Sequence, residues 1–203
     1  MNMTRTLILI LCSAFILTGC LGRRSMPARF YILDYPPGLE VNFEDESPVQ
    51  KSLLIRTVEI SPAYATTQIA LRERTHEIRY FSFNQWAVRP EQSLTSLLTE
   101  FMNEHNIFRT VYTRPSLNLE PDYIMETIIH HMVLVEDGRE YYARLSLEYA
   151  LREFGNGETV LNHRADRKQV LEDKNLNLFA AAISEIFIDE LGKFSGSILA
   201  DIR

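Results

Sequence analysis

Apolar and polar positions alternate most regularly in the second half of the chain. In "REYYARLSLEYALREF", Tyr141, Ala143, Leu145, Leu147, Tyr149 and Leu151 share one parity, and Tyr142, Arg144, Ser146, Glu148 and Arg152 share the other. Successive strand residues face opposite sides of a sheet, so this pattern predicts a long strand with one buried face. "DYIMETIIHHMVLVE" precedes it through Asp137-Gly138, a strong short hairpin signal, and Gly155-Asn156-Gly157 turns the chain into "ETVLNHRADRKQVL". The three segments predict an antiparallel meander. The period then changes: Leu176, Phe179, Ala182, Ile183, Ile186, Phe187, Leu191 and Phe194 recur at helical spacing. They predict a long helix laid on the sheet.

The first half is more broken. "RFYILDY" predicts a first strand, "SLLIRTVEI" (52–60) a second, and "QIALRE" and "EIRYFSF" a pair around Arg74-Thr75. "PPGLEVNFEDESPVQK" reads as a solvated loop, from its prolines, Gly38 and the acidic knot Glu44-Asp45-Glu46. Arg89-Pro90-Glu91 marks a helix start, because proline fits the first turn and a carboxylate there suits the helix dipole. Leu94, Leu97, Leu98, Phe101 and Met102 follow at helical spacing, and "IFRTVYT" returns as a strand. The expected fold is α+β: one domain, a mostly antiparallel sheet with two helices packed on it, and no repeats.

The apolar run from Leu7 to Leu17 fits neither period. It is too short to span a hydrocarbon core, which takes about 20 residues, and it follows Arg5, as in a secretory signal. Leu17-Thr18-Gly19-Cys20 resembles the bacterial lipobox. That resemblance implies diacylation of Cys20, cleavage before it and a further N-acyl chain. Several acyl chains give stable anchoring where one binds only marginally. Leu21 stands where an aspartate marks inner-membrane retention in such signals, so sorting to the outer membrane is expected. The chain thus divides into a signal peptide (1–19), a lipidated tether (20–28) and a folded domain (29–203).

Composition agrees. The two cysteines are Cys12, in the signal, and Cys20, so no disulfide is expected in the body and its stability must come from an apolar core. The formal net charge is −6 with no basic stripe, which argues against a nucleic-acid partner.

Candidate chemistry is sparse. No phosphate-cradling glycine loop or G-x-S-x-G elbow occurs. The five histidines are His76, His105, His130, His131 and His163. On a strand, His130 and His131 point to opposite faces, so the pair is not expected to close on one metal ion. Glu126, inside "YIMETII", is the one carboxylate set among apolar neighbours. Trp86, the only tryptophan, and Tyr64, in the loop 59–67, are candidates for partner contact or for core packing.

Taken together, these pieces resemble the ABC-type transport auxiliary lipoproteins, the family of the paraquat-inducible, PqiC-like proteins. The resemblance rests on an early Tyr-x-Leu strand (Tyr31, Leu33) and on a Pro-x-Tyr before an apolar-x-x-Arg strand (Pro62, Tyr64, Ile69, Arg72). A Trp-Ala before a Pro-led helix completes it (Trp86, Ala87, Pro90). It implies a non-enzymatic, cofactor-free partner of an MCE-protein system that moves lipid between membranes. Such a protein sits lipid-anchored on the periplasmic face of the outer membrane, docks an MCE-domain protein and tends to self-assemble. Two other readings stay open. One is a lipoprotein of the lipopolysaccharide-assembly or chaperone type, binding acyl chains in an apolar cavity. The other is an anchored periplasmic hydrolase, with Glu126 or a histidine strongly perturbed in a cleft.

Overall fold

The computed structural model describes residues 27–39, 41–43, 47–114 and 120–202. The signal segment, Cys20 and most of the tether lie outside these. The strands are β1 (Arg29–Tyr31), β2 (Val49–Ile55), β3 (Glu59–Ile60), β4 (Gln68–Arg74), β5 (Glu77–Trp86), β6 (Phe108–Tyr112), β7 (Tyr123–Asp137), β8 (Glu140–Glu153) and β9 (Thr159–Leu171). The helices are α1 (Pro90–Glu104) and α2 (Leu176–Asp201). Both helices cover one face of a single open sheet, in the expected α+β arrangement.

The meander β7–β8–β9 is the backbone of that sheet, paired antiparallel from Tyr123↔Glu153 to Asp137↔Glu140 and from Tyr141↔Leu171 to Arg152↔Thr159. Asp137 and Glu140 close the first hairpin, so its two-residue turn is Gly138-Arg139. Gly138 has φ +66 and Arg139 is not left-handed, the pattern of a turn with glycine at its first central position. The Asp-Gly signal therefore finds the hairpin but sits one residue early.

The other side of β7 is unlike a meander. Leu53 pairs with Tyr123, Glu59 with Ile128 and Leu71 with Leu134, all parallel. The segments β2, β3 and β4 thus form one interrupted strand that walks along β7. The first break falls at Val58, whose N–H leaves the sheet and donates to Thr95 Oγ1 of α1 at 2.9 Å. The second is the excursion 61–67, which begins after Ser61 N–H donates to Ile129 O at 2.9 Å. Strand β6 flanks β2, and β5 and β1 continue outward from β4. Long antiparallel ladders dominate, and the parallel contacts are short.

Helix α1 begins with Pro90 at its first position and Glu91 in its first turn, as expected. It ends on Asn106 at φ 48, a left-handed residue. Asn106 N–H donates to Asn103 O and Ile107 N–H to Met102 O, each at 3.2 Å, which is the Schellman arrangement. Asparagine tolerates this conformation and β-branched residues do not. Asn106→Val is therefore expected to lower stability by about 1–2 kcal/mol in urea titration, with Asn106→Gly no less stable than the parent.

Helix α2 is capped by Asn175, whose side chain accepts from the N–H of Asn177 and Leu178. It is buried nearly all round, with Gly192 and Ser195 covered as well as the apolar stripe. The sheet covers one side. The segment read from its composition as a solvated loop covers the other: Leu39, Val41 and Phe43 pack against the core. A Cβ at Gly192 would meet Val41 Cγ1 at 3.1 Å, so glycine is what lets the segment lie so close. Phe43 meets Phe101 edge-on, with ring centroids 6.3 Å apart. Each such side chain taken from water contributes about 1.5–3 kcal/mol. The missed signal is the alternation Leu39-x-Val41-x-Phe43, hidden among prolines and acids.

The first strand is also shorter than "RFYILDY". The chain leaves the sheet after Tyr31 and crosses to α2, where Asp34 N–H donates to Ser184 Oγ at 3.2 Å.

Candidate docking face

Opposite the helices, the described residues place no second layer on the sheet. The excursion 61–67 folds back over part of this face and brings scattered sequence positions together. Tyr64 is only 3 % exposed. Its hydroxyl accepts from Arg72 Nη2 at 3.1 Å, and its ring lies 5.9 Å from that of His131. Tyr80 Oη and Arg89 Nη2 secure the excursion by donating to Ala63 O (2.9 Å) and Ala65 O (3.2 Å). Burial, followed by the positive charges of Arg144 and Arg72, pushes His131 below the ordinary histidine pKa. Its imidazole is therefore neutral at pH 7.

Trp86 is likewise 3 % exposed, and its ring sits 5.9 Å from Phe179 of α2. Its backbone N–H donates to Thr67 O at 2.7 Å, while Ala87 N–H donates to Tyr31 O at 2.7 Å. One corner therefore ties the end of the excursion to β1 and to the start of α1. Both side chains are buried, Tyr64 beneath the excursion and Trp86 in this corner.

The histidine pair departs from simple alternation. A bulge between Ile129 and His131 leaves His130 as the extra residue of β7. Both imidazoles then lie on the open face, but each has its own neighbour. His130 Nε2 is 3.7 Å from Glu148, while His131 stands beside Tyr64. Among the described residues, no group of three or more histidine, cysteine or acidic side chains is placed to hold a metal ion.

Glu126 is not a lone acid. It is held between Arg56 Nη1 at 2.6 Å and Arg152 Nη1 at 3.3 Å. The same lacing runs along the face. Arg144 grips Asp166 with two hydrogen bonds of 2.9 and 2.7 Å, and Glu148 takes Arg164 at 2.9 Å. Such a surface is suited to polar protein contact, since its charges are already ordered before a partner arrives.

The buried carboxylate is one that sequence reading missed. Glu190 of α2 is 3 % exposed, with His163 Nε2 at 2.7 Å, Arg167 Nη1 at 2.8 Å and Lys193 Nζ at 2.7 Å. It lies on the helix-covered side and fastens α2 to β9. The available signal was Glu190 within the apolar stripe 186–194.

A family profile described as the ABC-type transport auxiliary lipoprotein component matches residues 31–190. No curated protein sequence matches the chain. Among solved structures, a Xanthomonas campestris protein of the DUF330 family superposes with a TM-score of 0.68 at 13 % identity, over 86 % of this chain and 95 % of that one. A crystal structure of an uncharacterized protein superposes with a TM-score of 0.61, again at 13 % identity, over 88 % of this chain and 100 % of that one. At these identities the superpositions speak for the fold.

Proposed function

Because the chain belongs to the ABC-type transport auxiliary lipoprotein family, we propose that it is a non-enzymatic docking component of an MCE-type intermembrane lipid-transport system. Cys20 carries the lipid, the tether 20–28 joins it to the domain, and the body stands on the periplasmic face of the outer membrane. The observation that carries the docking role is the open sheet face. Among the described residues it is uncovered by helices, laced by ion pairs and partly roofed by the Tyr64 excursion. Glu126, Glu148 and Asp166 are engaged with cations rather than paired with one another as a general acid and base. The length of β9, which among the described residues pairs only with β8, offers an edge for self-assembly.

A second reading, direct binding of acyl chains, is favoured by one groove. It lies between residues 30–39 and the start of α2, holds about 570 Å³, and is lined by Phe30, Ile32, Leu39 and Ala180 together with Asp34 and Glu185.

In-cell crosslinking of the tagged, lipidated protein, read by mass spectrometry, separates the two. Capture of an MCE-domain protein is the expected result. Capture of only its own copies, or of a β-barrel assembly component, would overturn the transport reading. Co-purified lipid lost on replacing Ala180 with tryptophan would favour the second.

A further inference from the structure

One cleft on the open face is charged unlike the rest of the molecule. It holds about 260 Å³ and lies where β4, β7, β8 and β9 come together. Four cations line it, namely Arg72, Arg74, Arg144 and Lys168, in a chain whose net charge is −6.

The acids around the cleft do not balance them. Glu73 and Glu136 also line it, but strand alternation sets them on the other side from Arg72 and Val135. There Glu73 takes two contacts of 3.0 Å from Arg79, and Glu136 is held by Lys174. Asp166 takes both hydrogen bonds of Arg144, with the charge of Lys168 a weaker and more distant influence. Asp137 is the remaining acid of the lining.

Arg74 stands 3.9 Å from Glu77, which leaves two cations over. The one hydrogen bond of Arg72 goes to Tyr64, and its Nε is buried with no partner. Lys168 Nζ stands 5.0 Å from the centre of the Tyr142 ring. Among the described residues neither lies within ion-pair distance of a carboxylate. The Arg72 guanidinium lines the cleft, so an anion there would meet its charge without displacing a carboxylate.

We propose that this cleft is a phosphate-binding site, taking phosphate either free or as the ester of a lipid headgroup. A carboxylate is matched by a single arginine fork, as Asp166 already is by Arg144. A phosphate carries more charge and more acceptor oxygens, and can engage the Arg72 fork and the Lys168 ammonium together. The volume fits a headgroup and lies below that of pockets holding drug-sized ligands. The site does not depend on the transport reading.

The test is calorimetric titration of the full lipidated chain in an uncharged detergent at fixed ionic strength. The probes are inorganic phosphate, glycerol 3-phosphate and acetate. Saturable binding of either phosphate, weakened about tenfold by Lys168→Gln through loss of one charge-assisted contact, is the expected result. Tighter binding of glycerol 3-phosphate than of inorganic phosphate identifies a headgroup site, and equal binding a site for free phosphate. Arg72→Lys, which keeps the charge but not the fork, is expected to weaken phosphate also. Lys168→Gln alters only an exposed position, so a folding defect does not obscure the outcome. Phosphate binding no tighter than acetate, or unchanged in Lys168→Gln, would overturn the proposal.

Discussion

Replacing Glu190 with alanine is expected to lower the free energy of unfolding by about 3 kcal/mol. Arg167, Lys193 and the imidazole of His163 converge on this buried carboxylate, and its removal leaves two positive charges facing one another against α2. The cost sits at the low end of the range for breaking a buried ion pair, because Arg167 and Lys193 are half exposed and can turn to water. The pH dependence tests the same contact. Burial pushes the pKa of Glu190 up, but hydrogen bonds from Lys193 and His163, with the charges of Lys193 and Arg167, outweigh it and hold the group below its ordinary 4.5. A carboxyl whose folded pKa is depressed contributes stability that is present above its unfolded pKa and lost as pH falls through the folded one. The parent should therefore lose stability on acidification below about 4.5 more steeply than Glu190→Gln. Urea midpoints between pH 7 and pH 3 measure this, and parallel curves for the two proteins would refute it.

The second large effect is at Trp86. Trp86→Ala is expected to cost about 3–5 kcal/mol, the range for emptying a large aromatic site in a packed core. The indole fills the corner where β1, the end of the Tyr64 excursion and α2 meet, so its loss loosens all three. Trp86→Phe keeps most of the volume and should cost less than half as much. Since this is the only tryptophan in the chain, its fluorescence in the parent should be blue-shifted and resistant to iodide. Denaturant curves for both variants, with crosslinking to the partner, separate two roles. If Trp86→Phe folds and captures normally, the residue is structural. A stable Trp86→Ala that loses only capture would show direct contact.

The readable parts of the fold are those whose pattern runs unbroken. The meander 123–171 alternates for long stretches, and α2 repeats apolar residues from Leu176 to Phe194, so both stand out. The interrupted strand β2–β3–β4 does not. Its pieces are short, and their break at Val58 is made by Thr95, far along the chain. The covering segment 39–43 was misread because composition outweighed a three-residue alternation. At the site, Tyr64 and Arg72 were legible as a motif, but the contact between them was not. Their neighbours His131 and Arg144 come from strands more than fifty residues away, and only the parallel register of β4 on β7 brings them near. Glu190 shows the opposite failure. A charged residue within a helix reads as exposed unless its partners on β9 are known.

The way β2, β3 and β4 lean on β7 sets an order of assembly. A ribosome delivers the amino-terminal strands first, yet the strand that all three pair with lies between residues 123 and 137. Until it emerges, β2, β3 and β4 lack the strand they share, although β4 and β5 can already pair with each other. The hairpins β7–β8 and β8–β9 join neighbours in the chain, so they close with little loop entropy. The sheet as a whole is therefore expected to close only once the carboxyl-terminal half has been made.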